Sequence, residues 1–224
     1  MIDLYPYVQY RCVVGSRAYG LDTDASDTDV RGFYLPPASI HWSLTKLPEQ
    51  LENEERQECF WEFEKFLNLC LASNPNALEC LNTPLVQFAS PMALELLELR
   101  SSFLSKLAYE RYMGYADAQF RRLAATQGTE KGVNWKHAMH MIRLLIAGET
   151  LLQDGRVLVD VSAYRDRLLA VKRGELAWPQ VEEWKRELSA GLEAAFLATS
   201  LPDEPDRARV NEFLVHARRS MLDV

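Results

Sequence analysis

A chain of 224 residues, 48% apolar, with 25 Lys+Arg, 32 Asp+Glu and a net charge of -7, has a globular composition that excludes a disordered or fibrous protein. The acidic balance also excludes a broadly basic nucleic-acid coat, though not a local basic patch. The charge is uneven, with 7 basic and 15 acidic residues in 1–100 against 18 and 17 in 101–224, so two parts with different work are expected.

Residues 8–14 (VQYRCVV) read as a buried strand that ends at Gly15. Residues 16–20 suit one helical turn, and the acidic loop LDTDASDTD follows. A second strand is expected over 30–35 (VRGFYL), stopped by Pro36-Pro37. The polar stretch 38–56 reads as loop. Residues 58–63 read as a third strand that runs into a helix lasting through Ser73, and Asn74-Pro75-Asn76 ends one helix and starts another. Beyond residue 91 the apolar spacing turns helical, over 91–126, 135–153, 162–172, 178–199 and 204–222. Pro91, Pro179 and Pro205 sit in first turns, Gly128 and Gly132 flank a loop, and Asp154-Gly155 is a stop. The expectation is an α+β protein, with a small mixed-sheet domain over 1–90 and an all-helical bundle over 91–224.

The cysteines Cys12, Cys59, Cys70 and Cys80 form no CxxC pair and no zinc spacing. Cys12 and Cys70 lie in apolar runs and are expected to be buried. No secretory leader and no membrane-spanning run are recognisable, so the expected setting is the cytoplasm, without a membrane partner.

The sharpest chemical signal is Val14-Gly15-Ser16 followed by Asp27-Thr28-Asp29-Val30. A strand that ends at a glycine lets a ligand approach the backbone. Ser16 then offers a hydroxyl and backbone N–H groups to an anion. If Asp27 and Asp29 alternate along a strand, both carboxylates share one face. Two hard oxygen ligands side by side suit Mg²⁺, with substrate phosphates completing its shell. Together these make a phosphoryl- or nucleotidyl-transfer site. A calcium loop starting at Asp22 is excluded: Asp27 stands where glycine is needed and Phe33 where glutamate is needed.

The pattern hG[GS] followed by DhDh resembles the signature of the DNA polymerase β-like nucleotidyltransferase superfamily. More closely, GSRAYGLDTDASDTDVRGFY and EFEKFLNLCLASNPNALECLNTP resemble the RNA-ligase-associated predicted nucleotidyltransferase family over residues 9–125, and NWKHAMHMIRLLIAGE resembles the C-terminal part of its bacterial members. The resemblance implies a mixed sheet with a metal site at one edge. It also implies Mg²⁺ (two ions, with Mn²⁺ as an alternative), a nucleoside triphosphate as substrate, pyrophosphate release, and RNA or tRNA as acceptor in repair or processing.

The superfamily also supplies a third carboxylate from a later strand. The position expected for it here is Gln57, with Glu55 and Glu58 beside it. A one-residue shift would bring Glu58 to the site as the third catalytic acid, able to help deprotonate the attacking hydroxyl or hold a second metal. Thr28 also departs from the pattern, being polar where an apolar residue is usual.

Arg17 is placed to reach a triphosphate or to pair with a loop acid. Arg31 shares the parity of the two aspartates and can limit their repulsion. Lys65 is read as structural, and Asn74 as a helix cap within the NPxxxE segment that ends at Glu79. In the helical half, Lys136, His140 and Arg143 fall at i, i+4 and i+7 on one helix face, with His137 beside them. Residues 106–143 hold seven Lys+Arg against three acids. That face is the candidate wall for a triphosphate or a nucleic-acid backbone. The reading is an enzyme that moves a nucleoside monophosphate onto an acceptor hydroxyl. Its alternatives are nucleotidylation of a protein or small molecule, and an impaired nucleotide-binding module.

Overall fold

Strand β1 (Val8–Val14) is the apolar run expected from the sequence. In the computed structural model, which describes residues 2–44, 46–127 and 132–222, it sits in a five-stranded mixed sheet with β2 (Asp29–Tyr34), β3 (Gln50–Asn53), β4 (Glu58–Glu62) and β5 (Val86–Ala89), ordered β3-β4-β2-β1-β5. The pairs β1–β2, β1–β5 and β3–β4 are antiparallel, and β2–β4 is parallel. The register sets Val14 opposite Asp29 and Val30 opposite Glu58.

Period two sorts the side chains onto two faces. One face carries Tyr10, Cys12 and Phe33, covered by α2 (Phe63–Leu71) and α3 (Pro75–Asn82). There Phe33 stacks on Tyr10 at 5.6 Å and on Phe66 at 4.9 Å, and Trp61 stacks on Phe66 at 5.8 Å. Tyr10 donates its hydroxyl to the carbonyl of Cys80 at 3.0 Å. The other face carries Val30, Tyr34 and Phe60, packed with Leu4 and ringed by Tyr5, Ile40, Leu47 and Leu51. Asn74 caps α3, accepting from the N–H groups of Asn76 and Ala77, and Lys65 pairs with Glu49 at 2.8 Å, both in the structural roles expected.

Three expectations are corrected. The stretch 38–56 is not all loop: it holds α1 (Ala38–His41) and β3. The polar sequence QLEN has little strand pattern of its own and is held as a strand by its ladder with β4. The single helix over 91–126 is broken into α4 (Pro91–Glu98), a 3₁₀ turn at Arg100–Phe103 and α5 (Leu107–Thr126). At the break the backbone bonds to distant segments instead: the carbonyl of Ser102 accepts from the N–H of Asp206, and the N–H of Lys106 donates to the carbonyl of Pro202, each at 2.8 Å.

The boundary at residue 90 is also displaced. The chain forms two compact units, one of Met1–Ala18, Asp22–Phe103 and Pro205–Val224, the other of Tyr19–Leu21 and Leu104–Glu204. The last helix, α9 (Arg207–Arg219), therefore belongs to the sheet unit. Its Phe213 meets Phe63 edge-on at 6.2 Å, its Arg218 pairs with Glu64 at 2.6 Å, and Met221 beyond it accepts from the N–H of Ala38.

The second unit contains α5, α6 (Trp135–Asp154), α7 (Arg165–Lys172) and α8 (Trp178–Ala198). Helix α6 is its centre, burying Met141, Ile142, Leu145, Ile146, Leu151 and Leu152. Gly128, Glu130 and Lys131 of the expected loop and basic stretch lie outside the described residues. Among the described residues no helix is long and apolar enough to cross a membrane.

Candidate functional site

The site is built where β1 ends and β2 begins. Gly15 follows β1 with φ +73°, a conformation that a side chain disfavours. A Cβ placed there would lie 2.6 Å from Oδ2 of Asp29. The absent side chain is therefore the space the Asp29 carboxylate occupies, and the Val14–Asp29 pair of the ladder holds the two together. Ser16 is half-buried in the turn that follows. Arg17 closes the acidic loop, donating to the carbonyl of Ser26 at 2.8 Å and lying 3.9 Å from Asp22.

The carboxylates are not arranged as expected. Strand β2 begins at Asp29, so Asp27 lies in the loop before it, exposed and outside the period-two alternation. Asp29 is firmly placed, and Arg31 flanks it with Nη2 at 3.7 Å from Oδ1. Nη1 of Arg31 also donates to the carbonyls of Val30 at 2.8 Å and Gln57 at 3.0 Å. The guanidinium therefore offsets the charge of Asp29 in the free protein, as its parity suggested.

Glu58 is corrected as the third acid. It pairs laterally with Val30, so it shares the face of Val30 and Phe60, opposite to Asp29 and Arg31. It is 7% exposed and forms an ion pair with Arg11, whose guanidinium lies over the Phe60 ring at 5.3 Å. Arg11 reaches it across Gly32, which lies between Arg11 and Phe60 in the register and has no side chain to block the way. Glu58 is thus a buried structural partner. Glu55 is exposed in the β3–β4 turn. The position before β4 is Gln57, an exposed turn residue at φ 54° whose carbonyl accepts from the N–H of Val30 and whose side-chain amide donates to the carbonyl of Glu54 at 2.8 Å.

Among the described residues no group of three or more His, Cys, Asp or Glu could hold an ion. One carboxylate, that of Asp29, is seated on a Cβ-less glycine, a placement that suits a hard cation such as Mg²⁺, which keeps several waters and substrate phosphates rather than entering an all-protein cage.

Lys136, His140 and Arg143 lie on α6, in the helical unit. Lys136 is exposed, but Arg143 is 3% exposed and is no part of a solvated wall. Its guanidinium stacks on Tyr19 at 3.8 Å, and His140 meets the same ring edge-on at 6.4 Å. Burial and the neighbouring Arg143, Lys136, His137 and Lys172 lower the His140 pKa to about 4.

Tyr19 belongs to this unit: its carbonyl accepts from the N–H of Val161 at 3.0 Å, and the carbonyl of Gly20 accepts from Arg165. Sequence reasoning missed Tyr19, whose one signal was a large aromatic in an otherwise small and polar GSRAYG segment. It also missed Lys172, which lies on another helix and leaves no sequence trace.

The chain is 28% identical over 155 residues to the uncharacterized protein YcgL of Bacillus subtilis (strain 168), a match that covers 67% of this chain and 58% of that protein's length. A nucleotidyltransferase-like protein from Exiguobacterium sibiricum 255-15, known from a crystal structure, aligns over 96% of this chain and 75% of its own at 15% identity and a TM-score of 0.32. A family model matches residues 6–216, nearly the whole chain, and on that match the chain belongs to the RNA repair pathway DNA polymerase beta family.

Proposed function

We propose that the protein is a nucleotidyltransferase that takes a nucleoside triphosphate and moves its nucleoside monophosphate onto an acceptor hydroxyl, with release of pyrophosphate. The observation that carries this reading is the contact of the Asp29 carboxylate with the side-chain-free face of Gly15, which joins a phosphate-binding turn to a metal-binding acid. Gly15 and Ser16 receive the triphosphate through backbone N–H groups and the Ser16 hydroxyl, and Arg17 reaches it from the next position. Asp27 and Asp29 would hold Mg²⁺, with Mn²⁺ as a substitute. When bound, that ion neutralises charge on the phosphates. Asp27, being exposed on a loop, adjusts to the substrate, whereas Asp29 is fixed by the ladder. The family favours an RNA end as acceptor.

The test is incubation with each labelled nucleoside triphosphate, RNA and Mg²⁺, wild type against Asp29→Asn. Label in RNA and pyrophosphate release, both lost in the variant, is the expected result. Label entering protein or a small molecule but never RNA would reassign the acceptor.

A second reading is favoured by one observation: Gln57 stands at the position where a third acid was expected, and Glu58 beside it is held by Arg11. Under it the protein binds nucleotide with metal but transfers slowly or not at all. Mg²⁺-dependent binding without pyrophosphate release would select it.

A further inference from the structure

Two thiols meet in the core of the sheet unit. Cys12 lies on β1 and Cys80 on α3, both fully buried, and their sulfurs stand 3.2 Å apart. Hydrogen bonds on either side hold them there. The hydroxyl of Tyr10 donates to the carbonyl of Cys80 at 3.0 Å, and the hydroxyl of Thr83 donates to the carbonyl of Val13 at 2.9 Å. Strand β1 is thus fastened to α3 and the residue after it at Tyr10, Cys12 and Val13, just before the chain reaches Gly15. Of these contacts, that of Cys12 with Cys80 can become covalent.

A disulfide holds its sulfurs at about 2.05 Å, so the 3.2 Å pair must close by about 1.15 Å, a movement shared between two side chains. Cys59, on β4, is half-buried. Cys70, on α2, is buried and is the alternative partner for Cys80.

We infer that Cys12 and Cys80 form a redox-sensitive tie between β1 and α3, closed by a peroxide. The thiolate of one cysteine takes an oxygen from hydrogen peroxide, giving a sulfenic acid and one water. The thiol of the other then attacks that sulfur and expels a second water. Two S–H bonds and one O–O bond are lost, one S–S bond and two O–H bonds are made, and the two sulfurs together give two electrons to the peroxide.

Burial pushes the Cys80 thiol up and shields both sulfurs, so the closed fold resists the reaction. Oxidation therefore starts when the short helix α3 opens locally, and the bond forms as α3 returns to β1. The tie closes a loop that runs from β1 through β2, β3, β4 and α2 to α3. A loop of that length stabilises the fold by restricting the unfolded chain. The tie stands whether or not the Gly15–Asp29 site transfers a nucleotide.

The test treats the full chain with hydrogen peroxide in native buffer, denatures it in an alkylating reagent, and maps the peptides by mass spectrometry without reduction. Urea unfolding is recorded before and after. The expected result is a peptide linked through Cys12 and Cys80, formed faster in urea well below the unfolding transition and lost in dithiothreitol, with a raised urea midpoint in the linked protein. C59A/C70A, which keeps only this pair, should behave alike, and C12A should show neither the link nor the raised midpoint. If C12A does not fold, C59A/C70A and the wild-type map decide. Three results would each overturn the assignment: a link from Cys80 to Cys70 instead, native thiols that stay unlinked in a peroxide concentration that links the unfolded chain, or a linked protein with an unchanged midpoint.

Discussion

Gly15→Ala is the most direct probe of the site. Two costs follow from the structure. A Cβ at φ +73° enters the left-handed region, which costs about 1–2 kcal/mol. The same atom would stand 2.6 Å from Oδ2 of Asp29, where ordinary contact begins at 3.4 Å, so the carboxylate must retreat by about 0.8 Å. A displacement of ~1 Å in a reacting constellation can cost about 100-fold.

Gly155→Ala isolates the first cost: φ is +64°, and its Cβ would meet Leu201 at an unstrained 3.8 Å. Both variants should lose about 1–2 kcal/mol in urea unfolding. By calorimetry, Gly15→Ala should also lose most of its Mg²⁺-dependent nucleotide affinity, whereas Gly155→Ala should keep it. If the two bind nucleotide alike, Asp29 does not work from its seat on Gly15 and the site has been misread.

Glu58 and Asp29 should part company on stability. Glu58→Ala strands Arg11, which is partly solvated, and should destabilise the fold by about 1–3 kcal/mol in denaturant. Asp29→Asn should leave the unfolding midpoint nearly unchanged while removing metal-dependent nucleotide binding. Ending the chain at Glu204 removes the buried Val210 and Phe213 of α9. At about 1.5–3 kcal/mol for each such side chain, that is a large share of a domain's stability. Limited proteolysis should then find the sheet unit open, and wild-type protection would refute the role of α9. His140, with its pKa lowered to about 4, takes its proton later in the folded than in the unfolded chain. Stability from its neutral form is therefore complete above the ordinary histidine range and is lost as pH falls from about 6.5 toward 4, by up to ~3 kcal/mol. Unfolding midpoints across that window should fall less steeply in His140→Gln, and identical slopes would refute it.

Much of this was legible in the residues. The apolar run before Gly15 could only be a buried strand, and helix punctuation marked most of the second half. Asn74 was read correctly as a cap because its bonds are local. The failures share one cause. The strand QLEN is made by its partner β4. Helix 91–126 breaks where Ser102 and Lys106 bond to Asp206 and Pro202, a hundred residues away. Glu58 seemed a catalytic acid because it lay one residue from an expected position, and in a strand one residue is the difference between faces.

The sequence alone determined the chemistry on offer: a glycine turn, two aspartates at period two, and an α+β chain with an acidic first half. Only the tertiary structure decided which acids meet. The parallel β2–β4 register put Glu58 on the face opposite to Asp29 and sent it to Arg11. The unit boundary likewise gave Tyr19 to the helices and α9 to the sheet. Register and long-range packing are set by the sum of many weak contacts between distant segments, so no local pattern announces them.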